Sequence, residues 1–234
     1  MNQLRTRLFL IPTVLAEDTQ HQVLSPQIVD SIRNLNVFFV ENVRTARRFI
    51  SSLKIGKVID ELTFIELHKD TPENETFEHL RNLREDAGVL SEAGCPGVAD
   101  PGAVAVGIAH RLGMQVVPLV GPSSILLALM GSGMSGQSFA FHGYLPIDKT
   151  ERKKALQHLE REARQYGQTQ IFMETPFRNN TFLDAILEAC APDTLLCIAA
   201  NVTGTDEFIK TLPVKNWKVN KPDLHKKPTI FLIG

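Results

Sequence analysis

Short apolar runs of strand length alternate, along the first half of the chain, with longer segments whose apolar residues recur at helical spacing. Residues 8–11 (LFLI) form the first run, which Pro12-Thr13 ends. A polar loop then reaches Ser25-Pro26, which suits a helix start because the fixed φ of proline is already helical and its missing N–H is not needed there. Residues 36–40 (NVFFV) read as a second buried strand, followed by Glu41 and a basic amphipathic helix carrying Arg44, Arg47 and Arg48. Residues 62–67 give a third strand, His68-Lys69-Asp70-Thr71-Pro72 a polar loop, and 73–84 a helix. Strand and helix in strict alternation predict a doubly wound, mostly parallel sheet.

The next stretch holds two loops suited to gripping a small molecule. Gly94-Cys95-Pro96-Gly97-Val98-Ala99-Asp100-Pro101-Gly102 follows a short apolar run and precedes an Ala/Val-rich helix. A strand-to-helix turn of this kind is where ligands bind in parallel sheets. Gly121-Pro122-Ser123-Ser124 follows a strand over 115–120 and opens another apolar helix, whose first N–H groups have no partner within the helix.

Around 118–138 the chain moves from this pattern to a Gly/Ser-rich passage at 131–136, which marks the entry to a second lobe; the expected lobes are 1–117 and 118–234. Gly131, Gly133 and Gly136 spell G-x-G-x-x-G, but a helix precedes them and the strand-like 139–145 follows. That is the reverse of the dinucleotide-binding order, and that reading is rejected. Residues 149–166 form a helix with one narrow apolar face (Ala155, Leu156, Leu159, Ala163). Strands follow at 170–173, 195–200 and 229–233, with a helix over 180–190 and a hairpin around 206–213. The second half is mixed and less regularly wound.

Composition narrows the partners. The 234 residues are 43% hydrophobic and 22% charged with net charge −1, so no global field draws the chain to nucleic acid, and RNA binding requires a local patch. Arg44, Arg47, Arg48 and Lys54 form one such patch and Arg152, Lys153 and Lys154 another. Cys95, Cys190 and Cys197 show neither C-x-x-C nor zinc spacing; no metal is expected, and the thiols suit a reducing cytoplasm. Cys95 reads as a small loop residue rather than a nucleophile. Arg5 and Arg7 ahead of the first apolar run resemble the start of a signal peptide, but Pro12 arrives too soon, and a first buried strand is the better reading. No apolar stretch has the roughly 20 residues of a spanning helix; the expectation is a cytoplasmic protein without membrane contact.

Four blocks then carry a resemblance: SEAGCPGVADPG, VVPLVGPSS, SGMSGQSFAFHGYLPIDKTERKKAL and IFMETPFRNN. In order and spacing they resemble, over roughly the whole chain, the tetrapyrrole methylase superfamily of S-adenosylmethionine (SAM) dependent methyltransferases. Within it the nearest likeness is to the bacterial small-subunit ribosomal RNA cytidine 2′-O-methyltransferase group. The resemblance implies two α/β lobes with SAM in the cleft between them, a homodimer, and structured RNA or the small ribosomal subunit as partner. It places cofactor contacts at Pro12, Gly94, Cys95, Val98, Ser123 and Ser124, with Met173, Ala200, Asn201 and Thr229 enclosing the adenosine end. Methylation of a tetrapyrrole or a protein side chain, or a SAM-binding relative without catalysis, are the alternatives.

Three loops depart from the family pattern. Pro12-Thr13-Val14-Leu15-Ala16 lacks the expected Gly-Asn, Glu41-Asn42-Val43-Arg44 stands for Glu-Asp-Thr-Arg, and Ala200-Asn201-Val202-Thr203-Gly204 replaces a charged Arg-Glu-Leu-Thr-Lys stretch. A ribose hydroxyl attacks poorly while protonated, so a base or an alkoxide-stabilising cation is expected. Glu41, Asp100 and Glu174 are candidate bases, and Lys149 and Arg44 candidate cations. Glu41 and Lys149 rank first because each sits in a family block at a loop. His68 is a candidate for stacking on a base.

Overall fold

A computed structural model describes residues 6–68 and 70–234. Arg5 and Lys69 lie outside the described residues. The chain divides into two compact units, the first ending at Pro122 and the second running Ser123–Gly234. The sequence expectation placed the break after Val117. Pairing with the first strand continues past that point, since Pro118 stands opposite Leu10 and the Leu119 N–H bonds the Leu10 carbonyl at 3.0 Å.

In the first unit, β1 (Arg7–Ile11), α1 (Gln20–Val23), α2 (Pro26–Asn34), β2 (Val37–Val40) and α3 (Val43–Ser52) come first. A 3-10 turn at Ile59–Glu61, β3 (Thr63–Glu66), α4 (Glu73–Arg81), β4 (Ala87–Leu90), α5 (Gly102–Arg111) and β5 (Gln115–Pro118) follow. The strands make one five-stranded sheet in the order β3-β2-β4-β1-β5, all neighbours parallel. Neighbouring residues of one strand point to opposite faces, and both faces are covered. Phe38 joins Ile28, Ile32 and Ile50 of α2 and α3, while Phe39 joins Leu80, Ala105 and Ile108 of α4 and α5. Connections to β2 and β3 cross on one face and those to β4 and β5 on the other, as right-handed crossovers require.

Asn42 explains one departure from the family pattern. Its side chain accepts the Thr45 N–H at 3.1 Å and caps α3. Asn and Asp cap helices about equally well, so the helix start does not depend on the lost carboxylate.

The second unit contains α6 (Ser124–Ser132), β6 (Phe139–Tyr144), α7 (Lys149–Tyr166), β7 (Thr169–Met173), α8 (Asn179–Ala189), β8 (Leu195–Ala200), β9 (Phe208–Pro213), α9 (Val214–Trp217) and β10 (Thr229–Ile233). Its sheet order is β6-β7-β10-β8-β9; β6 and β7 are parallel and the other pairs antiparallel. Helix α6 packs on β8, β9 and β10, and α7 and α8 pack together. The core centres on Phe172, Phe182 and Phe231, the last two with ring centroids 5.3 Å apart. Two glycines of the rejected dinucleotide motif serve α6. A Cβ on Gly131 would stand 2.9 Å from Ile209, and Gly133 ends the helix in the left-handed conformation at φ 72°.

Candidate functional site

The ends of β1, β2 and β4, three adjacent strands, carry the loops that make up the candidate site of the first unit. Pro12 leaves β1, Glu41 leaves β2, and the segment from Ser91 onward leaves β4. Hydrogen bonds lock two of these loops together. The Thr13 N–H donates to the Gly94 carbonyl at 2.9 Å and the Thr13 hydroxyl to the Ser91 carbonyl at 3.1 Å, while the Ser91 hydroxyl donates to the Gly94 carbonyl at 2.5 Å.

A third loop joins them after β5. The Cys95 thiol lies 3.3 Å from the Pro122 carbonyl and 3.8 Å from that of Gly121. Burial raises its pKa, so it stays a thiol and serves packing rather than nucleophilic attack. A Cβ on Gly121 would meet the Pro12 ring at 2.2 Å, so only glycine lets these loops touch. Pro12, Gly94 and Cys95 are thus brought together, whereas Val98 is half exposed on the far limb of its loop. The Gly94 and Cys95 N–H groups do not take part in the internal hydrogen bonds of the loop, and Gly94 adopts φ 75°.

Beside this cradle stands a group of carboxylates. Asp100 is fixed by the Gly97 N–H at 2.9 Å and the Gly102 N–H at 2.7 Å. Glu41 faces it, and its pKa rises to about 7: burial is the first cause, then the hydrogen bond to Asp100 and the negative charges of Asp100 and Glu92. The nearby Glu92 backbone N–H acts in the opposite direction. Glu92 and Thr13 were not among the residues singled out from the sequence. The signal for Glu92 is an acid just after β4, like Glu41 just after β2, but it becomes informative only once β2 and β4 are known to be neighbours.

The second unit gathers its own set at one end of its sheet. Met173 ends β7 opposite Ile230, and Thr229 opens β10 opposite Ala200. Ala200 and Thr229 are buried and Met173 half-buried. Asn201 follows at φ 48°, its N–H bonded to the Pro228 carbonyl at 2.9 Å and its side chain donating to Asp206 at 2.7 Å. Ser123 caps α6 through a long 3.4 Å contact with the Leu126 N–H, and Ser124 is the first helical residue.

The remaining candidates differ in their surroundings. Lys149 is exposed at the start of α7 and lines a groove of about 310 Å³ with α8 residues Thr181, Asp184 and Glu188. Glu174 is no base: it is buried and bonded to the Arg178 guanidinium at 2.6 Å. Arg152 leaves the second basic patch, being buried with its guanidinium donating to the Ile147 carbonyl, and Lys154 pairs with Glu151. Arg47 pairs with Asp60, while Arg44 and Arg48 are exposed beside it on α3. His68 is exposed and near Glu66 at 3.4 Å.

No protein-family model matches the chain. It is 26% identical over 231 residues to the ribosomal RNA small subunit methyltransferase I of Buchnera aphidicola subsp. Schizaphis graminum, covering 97% of this chain and 77% of that protein. To the protein of the same name from Bacillus subtilis it is 30% identical over 206 residues, covering 87% and 66%. Among solved structures, the uroporphyrin-III C-methyl transferase of Thermus thermophilus complexed with S-adenosyl homocysteine aligns at a TM-score of 0.58, 13% identity and 97% of both chains. That likeness concerns the fold.

Proposed function

We propose that this chain, which belongs to the tetrapyrrole methylase superfamily, is a SAM-dependent methyltransferase that methylates a ribose 2′-hydroxyl of small-subunit ribosomal RNA. The observation that carries the reading is Glu41, half-buried at the end of β2 beside the Gly94 loop, with a pKa near neutrality. The relatives named ribosomal RNA methyltransferases support the acceptor.

The first-unit loops fit the cofactor. Backbone N–H groups left over at Gly94 and Cys95 suit a carboxylate, and the bare glycine backbone allows close approach. Pro12, Gly94, Cys95 and Val98 from the first unit and Ser123, Ser124, Met173, Ala200, Asn201 and Thr229 from the second are the proposed contacts. SAM supplies an electrophilic methyl group on a sulfonium. The chain's residues hold the acceptor oxygen in line with that methyl, and placement is worth several kcal/mol of barrier, roughly 7–11 in well-oriented systems. Glu41 takes the 2′-hydroxyl proton as the oxygen attacks; a base titrating near pH 7 is ionised often enough to act and basic enough to accept. Lys149 stabilises the developing negative oxygen, and Arg44 and Arg48 hold phosphates.

The protein works as a cytoplasmic homodimer. Leu126 and Met130 expose 51% and 78% of their surface one turn apart on α6, an apolar face suited to a second copy. No helix among the described residues is long and apolar enough to cross a membrane.

Calorimetry with SAM tests the cofactor, and label transfer from radioactive SAM to undermethylated small ribosomal subunits tests the acceptor. A 2′-O-methyl group makes the adjacent phosphodiester resistant to alkali. Label without a protected linkage, or no label, refutes the ribose assignment.

A further inference from the structure

Helices α7 and α8 of the second unit pack together and leave a groove of about 310 Å³. That volume lies at the lower end of the small-ligand class, roughly 300–1,000 Å³. Lys149, Arg152 and Lys153 line it from α7, and Thr181, Asp184 and Glu188 from α8. Both sets recur at three- and four-residue steps, so each occupies one helix face. Arg152 is the unusual member. It is only 9% exposed, and among the described residues its guanidinium makes one hydrogen bond, from Nη1 to the Ile147 carbonyl at 3.3 Å, longer than such bonds normally are. Its Nε is sealed from solvent and has no hydrogen-bond partner among the described residues. A buried charge is costly unless it is paired and hydrogen-bonded, and an unsatisfied one calls for an ion or ligand.

The charges of the groove define that ligand. Its two acids have cations of their own: Asp184 pairs with Lys221 at 2.6 Å, and Glu188 lies 4.0 Å from Lys153. Lys149 and Arg152 form no ion pair among the described residues, which leaves two positive charges. Both fall within the first four residues of α7, where the helix dipole disfavours cations and favours anions. The acids at that end are engaged elsewhere, since Asp148 caps the helix through the Glu151 N–H at 2.9 Å and Glu151 pairs with Lys154.

We propose that this groove binds a dianionic phosphate, free or as the phosphomonoester of a small metabolite. The Arg152 guanidinium and the Lys149 ammonium are its counter-charges, and the Thr181 hydroxyl is a further donor. A guanidinium presents paired N–H groups to phosphate oxygens, and an ammonium adds a point charge. A phosphomonoester carries close to two negative charges at neutral pH, whereas the phosphodiester that links nucleotides carries one. The site therefore differs in kind from the RNA phosphate contacts proposed for α3. Its link to the methyltransferase reading is Lys149, which cannot hold this phosphate and the acceptor oxygen at once, so occupancy slows methyl transfer.

The test titrates the full chain with inorganic phosphate, methyl phosphate and dimethyl phosphate at pH 8 and constant ionic strength, following the amide resonances of Thr150 and Thr181. The first two, both dianionic, are expected to give saturable shifts. Dimethyl phosphate, with one charge, is expected to bind at least about tenfold more weakly, the value of one charge-assisted hydrogen bond. Arg152→Met is expected to lower phosphate affinity by at least about the same factor. Thr181→Glu brings a carboxylate into the groove from an exposed position on α8 and is expected to remove the shifts even where Arg152→Met fails to fold. No saturable shift with inorganic phosphate, equal affinity for dimethyl phosphate, or undiminished binding in either folded variant overturns the assignment. Phosphate binding that leaves methyl transfer unaffected keeps the site and removes Lys149 from the reaction proposed above.

Discussion

The carboxyl groups of Glu41 and Asp100 face each other, one at the end of β2 and the other in the loop after β4, and burial together with the neighbouring Asp100 pushes Glu41 up to about 7. Two backbone N–H bonds, from Gly97 and Gly102, hold the Asp100 carboxylate in place opposite it.

Stability should therefore fall as pH rises past Glu41. Its folded pKa of about 7 lies above the ordinary 4.5, so the folded chain binds more protons between those values. This stabilising contribution is complete below the ordinary value and lost as pH rises through about 7. Glu41→Gln, which cannot ionise, is expected to melt above the wild type at pH 8 and to match it at pH 5, with methyl transfer lost at both. Calorimetric scans at the two pH values check this; a Glu41→Gln melting point below wild type at pH 8 contradicts it.

Methyl transfer should rise with pH to half its maximum near pH 7, as Glu41 ionises. Asp100→Asn removes the neighbouring negative charge while its side-chain oxygen can still accept the Gly97 and Gly102 N–H bonds. The profile of kcat/KM is expected to move to lower pH in this variant, with little change in SAM affinity. An unmoved profile would show that Asp100 does not act on Glu41.

Gly121→Ala forces a methyl group into the Pro12 ring, 2.2 Å away. Overpacking of this kind costs typically about 1–3 kcal/mol, and the shifted loop should weaken SAM binding as well. Gly136→Ala, with open space around it, is the control, expected within about 0.5 kcal/mol of wild type. Denaturant melts and SAM calorimetry on both variants give the comparison.

Asn42→Ala should lose about 1 kcal/mol through the α3 cap, whereas Asn42→Asp keeps the acceptor and should hold stability. Equal melting of all three proteins would mean that the cap contributes nothing.

Arg44 and Arg48 stand exposed on α3 beside the paired Arg47. Arg44→Gln should weaken binding to small subunits and reduce the slope of log affinity against log salt by about one, the mark of one lost phosphate contact. An unchanged slope places Arg44 away from RNA.

How much of this was legible beforehand follows from the range of each interaction. Local periodicity located β1 to β5 and set α7 at Lys149–Tyr166, because burial of one face imposes a period of 2 or 3.6 on neighbouring residues. Turn chemistry marked the Gly94 loop, and chain order excluded the dinucleotide reading at Gly131. Glu174 and Arg152 show where local reading stops. Both look like functional charges beside loops, and both are buried on partners the sequence does not name: the Arg178 guanidinium for one and the Ile147 carbonyl for the other. The strand order β2-β4-β1 was decided by long-range crossovers on two faces of a sheet. That order alone carries Pro12, Glu41, Glu92 and Gly94, remote along the chain, to adjacent strand ends, where burial and like charge give Glu41 its near-neutral pKa.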